Sequence, residues 1–371
     1  MQQYVGAVVM CAASALLATA EDRSGEEQRA VDAIKALNGE VMRDEDAPGK
    51  PVVAVSLRGS LVRDENLACL KALVNLQELT LVHTKVKGAG LENIKGLVSL
   101  QTVYLIDNPD LTDAGLQHLR GLANLQTLQL TNDRKLTDAG LEYIQGLGNL
   151  QELDLGGTPV TDAAMEHVKW LIKLKDLSLY ETGVTDAALE RLKNLTSLEK
   201  LTLHTTKVTD KGLAHLKALV NLKSLNLAYT KVTGVGLEHL KGLAKLQLLD
   251  LYGTALTDEG LERIKEFTSL ESLDISKTGV TDAGLVHCRG LVSLTFLSLD
   301  ATKVTDAGLD NLKDLANLKT LTLSRTAVTD AGLARLKPLG SLDYLSLEST
   351  QVTDKGVADL KKALPKTTIT P

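Results

Sequence analysis

The stretch Leu198-Glu-Lys-Leu-Thr-Leu-His-Thr-Thr-Lys-Val-Thr-Asp-Lys-Gly-Leu-Ala-His-Leu-Lys-Ala-Leu219 decides how the whole chain is read. Its opening alternates apolar and polar residues, which predicts a short strand with Leu201 and Leu203 turned inward. Its second half sets Leu213, Leu216 and Leu219 three apart, the inner stripe of a helix of about two turns. Thr209 and Asp210 stand just before that stripe and are good N-cap residues. Gly212 permits close helix approach, and Lys217 falls in the last turn, where a positive charge suits the helix dipole.

Outward from this stretch the pattern is copied in both directions. Leu-x-x-Leu-x-Leu begins at Leu76, Leu100, Leu125, Leu150, Leu174, Leu198, Leu222, Leu246, Leu270, Leu294, Leu318 and Leu342. The spacing is 24 residues, except for 25 at the two steps from Leu100 to Leu150. A weaker copy begins at Val52, so thirteen copies cover residues 52 to about 365. Each copy has one apolar face and is stable only when stacked on its neighbours. The expected fold class is α/β: a curved solenoid of about 13 repeats of 24–25 residues. A parallel sheet would line its concave side and short helices its convex side. Residues 21–51 are expected to cap one end with a helix and a short strand, and 366–371 the other end with a strand, around a repeat domain at 52–365.

The two halves of the copy together resemble the leucine-rich repeat family over most of the chain. The Val-Thr-Asp-x-Gly-Leu-x-x-Leu half resembles repeats of exported planctomycete-type bacterial proteins, and is also similar to the cysteine-containing repeats of F-box adaptors. Ala33-Ile-Lys-Ala-Leu37 and Asp46-Ala-Pro-Gly-Lys-Pro-Val52 look like the N-terminal lead-in of the bacterial group. With the opening Leu of a copy as position 1, position 9 in this family is often an Asn that bridges neighbouring turns. Here it is Thr from Thr158 to Thr350, with Asn108 and Asp133 in the two longer copies. A Thr hydroxyl both donates and accepts, so a Thr column is expected to serve the same buried turn. The resemblance implies a non-catalytic scaffold for protein–protein interaction.

Composition narrows the function further. The 371 residues carry 41 Lys plus Arg against 47 Asp plus Glu, and a net charge of −6 argues against a nucleic-acid binder. Val5 to Ala20 is an uncharged apolar run ending in Ala18-Thr19-Ala20 before Glu21-Asp22. Residues 1–20 therefore read as a signal peptide, although Met1 to Tyr4 contain no basic residue. The expected localisation is exported: periplasmic, cell-envelope or secreted, with no membrane span once the segment is cleaved. Three cysteines make no disulfide framework, and Cys69 and Cys288 lie nine copies apart.

Function should lie where the copies differ. Positions 3, 5 and 7 face solvent on the concave side, and from Leu76 onward they hold eight acidic residues and one basic residue, Lys200. Tyr104, Tyr180, Tyr229, Tyr252 and Tyr344 fall on that side, as does Phe296. Tyrosine adds contact area with a hydrogen-bonding end. The candidate partner-binding site is Tyr180, His204, Tyr229 and Tyr252 with Asp154, Asp176, Asp250, Asp274 and Phe296. It would take a basic protein or peptide, with the chain as a monomer and no cofactor. Tyrosines beside carboxylates also suit sugars, so an envelope polysaccharide binder or a carbohydrate-acting protein is one alternative. An F-box-like ubiquitin ligase adaptor is another, disfavoured because residues 21–51 are too short and charged for an F-box.

Other chemistry is weaker. The oxygen-rich turns Asp107, Asn108, Asp110, Asn132 and Asp133 form a slight calcium candidate, against which Arg134 and Lys135 count. His118, His167, His215, His239 and His287 share an outer helix column and match no zinc spacing. Trp170 stands alone near a helix end. No G-x-S-x-G, phosphate-cradling glycine loop or H-E-x-x-H is present, and no enzyme is expected.

Overall fold

Each Leu-x-x-Leu-x-Leu segment becomes a strand because its alternation turns positions 4 and 6 into the core and 3, 5 and 7 to the other face of the sheet, where small residues such as Thr80, Ser178, Ser276 and Ser298 are nevertheless buried between neighbouring copies. A computed structural model describes residues 24–371; the segment 1–20 that reads as a signal peptide lies outside the described residues. The chain divides into two compact units, one ending at Leu153 and one running from Asp154 to Pro371.

In the first unit a helix at 24–36 leads into strand β1 (Glu40–Arg43), which pairs antiparallel with β2 (Val52–Arg58). Strands β3 (Glu78–Val82), β4 (Thr102–Ile106) and β5 (Thr127–Gln129) follow in parallel. Their register aligns Val55, Leu79, Val103 and Leu128, all buried. Strand β6 (Glu152–Asp154) lies at the division between the units.

The second unit continues with β7 (Asp176–Ser178), β8 (Lys200–Thr202), β9 (Ser224–Asn226), β10 (Leu248–Asp250) and β11 (Ser272–Asp274). Then come β12 (Phe296–Ser298), β13 (Thr320–Thr322), β14 (Tyr344–Ser346) and β15 (Thr368–Thr370). Neighbours from β7 onward pair in parallel with a register of one copy, so Leu177, Leu201, Leu225 and Leu249 stand in line at 0% exposure. Ile369 pairs opposite Leu345 at the C-terminal end. Among the described residues no helix is long and apolar enough to cross a membrane.

The helical segments are tighter than the expected two α-turns. In the copy quoted above, one α-turn at Asp210–Leu213 passes into a 3₁₀ segment at Ala214–Ala218. Leucines three apart are compatible with three residues per turn, but the same spacing at Leu189, Leu192 and Leu195 starts within an α-helix, so the spacing alone does not set the helix type. Asp186–Leu192 and Asp354–Ala363 are the longer α-helices.

The Thr-Asp pair before each helix divides its labour between copies. Thr209 is the N-cap, accepting the Lys211 N–H. Its own N–H and hydroxyl donate to Asp186 of the preceding copy at 2.8 and 2.7 Å. Asp is thus a clamp between copies rather than a local cap. Gly212 is explained by that clamp, because a Cβ there would lie 2.5 Å from Asp186 Oδ1. The same Asp-to-Thr pairing recurs from Asp258 to Thr281, Asp282 to Thr305 and Asp306 to Thr329.

Candidate functional site

The site begins with a backbone requirement. After each strand the chain turns through position 8, and the N–H of that residue donates to the next copy's position-7 carbonyl. Tyr229 reaches Tyr252 O and Lys277 reaches Asp300 O, both at 2.8 Å. The turn needs a left-handed conformation: φ is 52° at Glu181, 58° at Thr205, 53° at Tyr229 and 52° at Lys277. Such values are uncommon for residues with a Cβ. Yet in the second unit glycine takes this position only at Gly157 and Gly253, so most copies project a side chain at the end of the strand.

Columns 7 and 8 bring the rings together. Tyr180 and His204, one copy apart in column 7, stack with centroids 4.8 Å apart and planes within 10°. Gly156 lies on the other side of the Tyr180 ring, where a Cβ would meet Tyr180 Cε1 at 2.0 Å. Tyr229 and Tyr252 meet edge-to-face at 5.0 Å and 78°. Gly253 seats the Tyr229 ring, since a Cβ there would lie 2.8 Å from it. Tyr229 is 50% exposed, while Tyr180, His204 and Tyr252 are half-buried.

Lys277 completes this group, and the sequence reading missed it. Its ammonium lies 5.1 Å from the Tyr252 centroid and 5.8 Å from that of Tyr229, and donates to the Tyr229 hydroxyl at 3.4 Å. The hydrogen bond from Lys277 holds the Tyr252 phenol below its ordinary range, and Lys277 is raised in turn. Lys277 shares column 8 with Tyr229, a column whose charges alternation alone does not bring into view.

The carboxylates are partly committed to the scaffold. Asp154 accepts the Gly156 N–H at 2.8 Å and Asp274 the Ser276 N–H at 2.8 Å. Asp250 accepts the Tyr252 N–H and the Asn226 side-chain amide, both at 2.9 Å. These short loops fix the turn carrying the rings. Burial pushes the Asp250 and Asp274 carboxyls up, and Asp250 adds to the rise at Asp274. Asp176 pairs with Lys200 at 2.9 Å. Phe296 stands in β12 between Ser272 and Thr320. It is two strands from Tyr252's strand and at the opposite strand end, so the fold sets it apart from the rings. Tyr344 is set apart too, its hydroxyl pairing with that of Thr370 at 3.1 Å. Tyr104 is in the first unit, where burial and then Glu78 and Glu152 raise its phenol.

The oxygen-rich turns of the first unit spend their groups on one another. Asp107 accepts the Asn132 amide at 3.0 Å, and Asp110 pairs with Lys135 at 2.6 Å. Asn108 accepts from Thr84, and Asp133 Oδ1 accepts the Asn108 N–H at 2.6 Å. Among the described residues no group of three or more His, Cys, Asp or Glu side chains is gathered to hold a metal ion. Cys288 is fully buried, and burial pushes its thiol up to about 12; Cys69 is half-buried and raised by the same cause.

A family model described as a leucine-rich repeat region matches residues 109–330, more than half of the chain. The chain belongs to the leucine-rich repeat family. No curated protein matches it. Among solved structures, this leucine-rich repeat chain is similar to an internalin from Listeria monocytogenes. The identity is 22% over 92% of this chain and 93% of that one, with a TM-score of 0.59. It is also similar to a leucine-rich repeat protein of Leptospira interrogans, at 23% identity over 81% and 80% of the two chains and a TM-score of 0.61. At such identities the likeness is one of fold.

Proposed function

We propose that the chain is a non-catalytic, exported scaffold for protein–protein interaction. Its acidic, tyrosine-bearing strand face in the second unit holds a basic protein or peptide, and the chain acts as a monomer. The observation that carries this reading is the pair of ring assemblies on consecutive copies, Tyr180–His204 and Tyr229–Tyr252–Lys277. Neither assembly belongs to the buried leucine spine. Glycines at 156 and 253 make room for two of the rings, and residues with side chains accept a left-handed backbone at Tyr229 and Lys277. Room retained at an outward face suits recognition.

The chemistry suits a cation-bearing partner. Lys277 already lies over both tyrosines, so these rings suit an ammonium, and Asp176, Asp250 and Asp274 stand on the same face. Long-range attraction from such a face speeds encounter with basic surfaces.

The test is affinity capture from the native cell envelope with the chain as bait, beside a Tyr180→Ala, Tyr229→Ala, Tyr252→Ala variant. The expected result is a basic protein retained by the parent chain and reduced about tenfold with the variant, the variant keeping its circular dichroism spectrum. Equal capture by both would remove the site. Retention of polysaccharide with no protein would favour the carbohydrate reading instead.

A further inference from the structure

We propose that the turns leading from helix into strand in the second unit dock on an anionic lipid surface. Trp170 and Ile172 are 62% and 60% exposed, and Val220, at the position of Ile172 two copies on, is 50% exposed. Between Trp170 and Ile172 stands Leu171, which is fully buried. The tight turn is closed by the Ile172 N–H donating to Trp170 O at 3.0 Å, so burying Leu171 turns its two neighbours outward. Other copies place Asn194, Ala218, Gly242, Glu266, Gly290 or Asp314 where Trp170 stands, and the turn forms equally well. The indole is therefore not required by the stack.

The residue that begins each of these turns is basic. Lys193, Lys217 and Lys241 occupy this place in three consecutive copies, and all are exposed. The turns are held in register along the row: the Asn221 amide donates to Thr196 O at 2.9 Å, and Lys245 Nζ to Asn221 Oδ1 at 2.7 Å. The lysine row therefore runs beside the apolar row. Lys169, which begins the first turn, lies 5.4 Å from the Trp170 ring centroid. Two of the nearby acidic groups are paired with basic side chains. Glu166 is paired with Lys169 and Arg191, and Glu199 with Lys223. Glu190 and Glu238, one helical turn before Lys193 and Lys241, share their face, and Glu266 stands in the next copy beyond Lys241, so the proposed lysine row runs from Lys169 to Lys241.

An indole and branched aliphatic side chains flanked by lysines fit the boundary between headgroups and acyl chains: the apolar groups enter and the ammonium groups stay among the phosphates. An anionic polysaccharide would meet the same lysines, but Ile172 and Val220 offer it neither a stacking face nor a hydrogen bond. The lipid surface is therefore the better fit. This surface is distinct from the tyrosine-bearing strand face, and the two stand or fall separately.

Trp170 is the single tryptophan of the chain, so its fluorescence reports on this surface directly. The probes are vesicles of phosphatidylcholine alone and of phosphatidylcholine with phosphatidylglycerol, and a soluble anionic polysaccharide. The expected result is a blue shift of emission and co-sedimentation with the phosphatidylglycerol vesicles only, both reversed by high salt. A Trp170→Ala, Ile172→Ser variant and a Lys193→Gln, Lys217→Gln, Lys241→Gln variant should each lower co-sedimentation by about tenfold with unchanged circular dichroism. The triple tyrosine variant should sediment like the parent chain. No shift with either vesicle, equal binding to neutral vesicles, or a shift with the polysaccharide alone would each overturn the proposal.

Discussion

The buried turn after each strand is built in two ways, one in each unit. In the first, side chains bridge copies: the Thr84 N–H and hydroxyl donate to Asn108 Oδ1 at 3.0 and 2.6 Å, the Asn108 amide donates to Leu81 O at 3.1 Å, and the Asn108 N–H donates to Asp133. In the second, each copy closes its own turn: Thr182 donates to Leu179 O, Thr206 to Leu203 O and Thr230 to Leu227 O, all at 2.6 Å. A threonine hydroxyl ends one bond short of an asparagine amide: opposite another threonine it turns to its own copy's carbonyl, as Thr206 does, whereas Thr84 bridges because the longer Asn108 side chain of the next copy meets it. The bridging solution ties copies together but ends on a buried carboxylate. Asp133 is 0% exposed, its Oδ2 has no hydrogen-bond partner, and burial pushes its carboxyl up to about 8. The self-closing solution couples copies less at this point and carries no titratable group, while the Asp-to-Thr clamp beside the helix couples copies in both units, as from Asp113 to Thr137 and from Asp186 to Thr209.

The largest expected effect is at the centre of the bridge. Asn108→Ala strips the partner from two donors and one carbonyl in a buried place, a loss of about 3 kcal/mol. For a unit of this size the melting midpoint should fall by roughly 6–12 °C. A fall as small as that of the threonine change below would break the distinction between the two turns.

The next effect depends on pH. The Asp133 carboxyl keeps its proton in the folded chain up to about 8, whereas in the unfolded chain it ionises near 3.8. Its contribution to stability is thus fully present below the unfolded value and is lost as pH rises through about 8. The parent chain should lose several degrees of melting midpoint across that range. Asp133→Asn should lose distinctly less, and the two should converge in acid. Parallel pH profiles would contradict the buried carboxyl.

The smallest effect is in the second unit. Thr206→Val removes one hydroxyl-to-carbonyl bond and keeps the shape, costing about 1 kcal/mol. The midpoint should fall by roughly 2–4 °C, with no change in pH dependence. A larger fall would mean that the threonine column couples copies after all.

Much of this fold was legible in the sequence because a period of 24 residues repeats the same two half-patterns. The parallel register follows from it, as Leu201 must lie beside Leu177 and Leu225. The kind of helix was less legible: an apolar stripe such as Leu213, Leu216 and Leu219 marks a helical face, but the same spacing of three is carried by the 3₁₀ segment Ala214–Ala218 and by the α-helix Asp186–Leu192. Asp186 looked like a cap because caps are local, while its hydrogen bonds lead to the next copy. The candidate site was half legible. Alternation puts Tyr180, His204 and Tyr252 outward, but Lys277 meets Tyr229 across 48 residues, and the seats at Gly156 and Gly253 show only once neighbouring copies are stacked.

We propose that the columns holding the stack are separate from those left for recognition. Thermal melts of Asn108→Ala and Tyr229→Ala, run side by side, test it most directly. Tyr229→Ala removes more atoms, yet its midpoint should stay within about 2 °C of the parent chain, while Asn108→Ala falls well below it. A Tyr229→Ala midpoint as low as that of Asn108→Ala would contradict the separation.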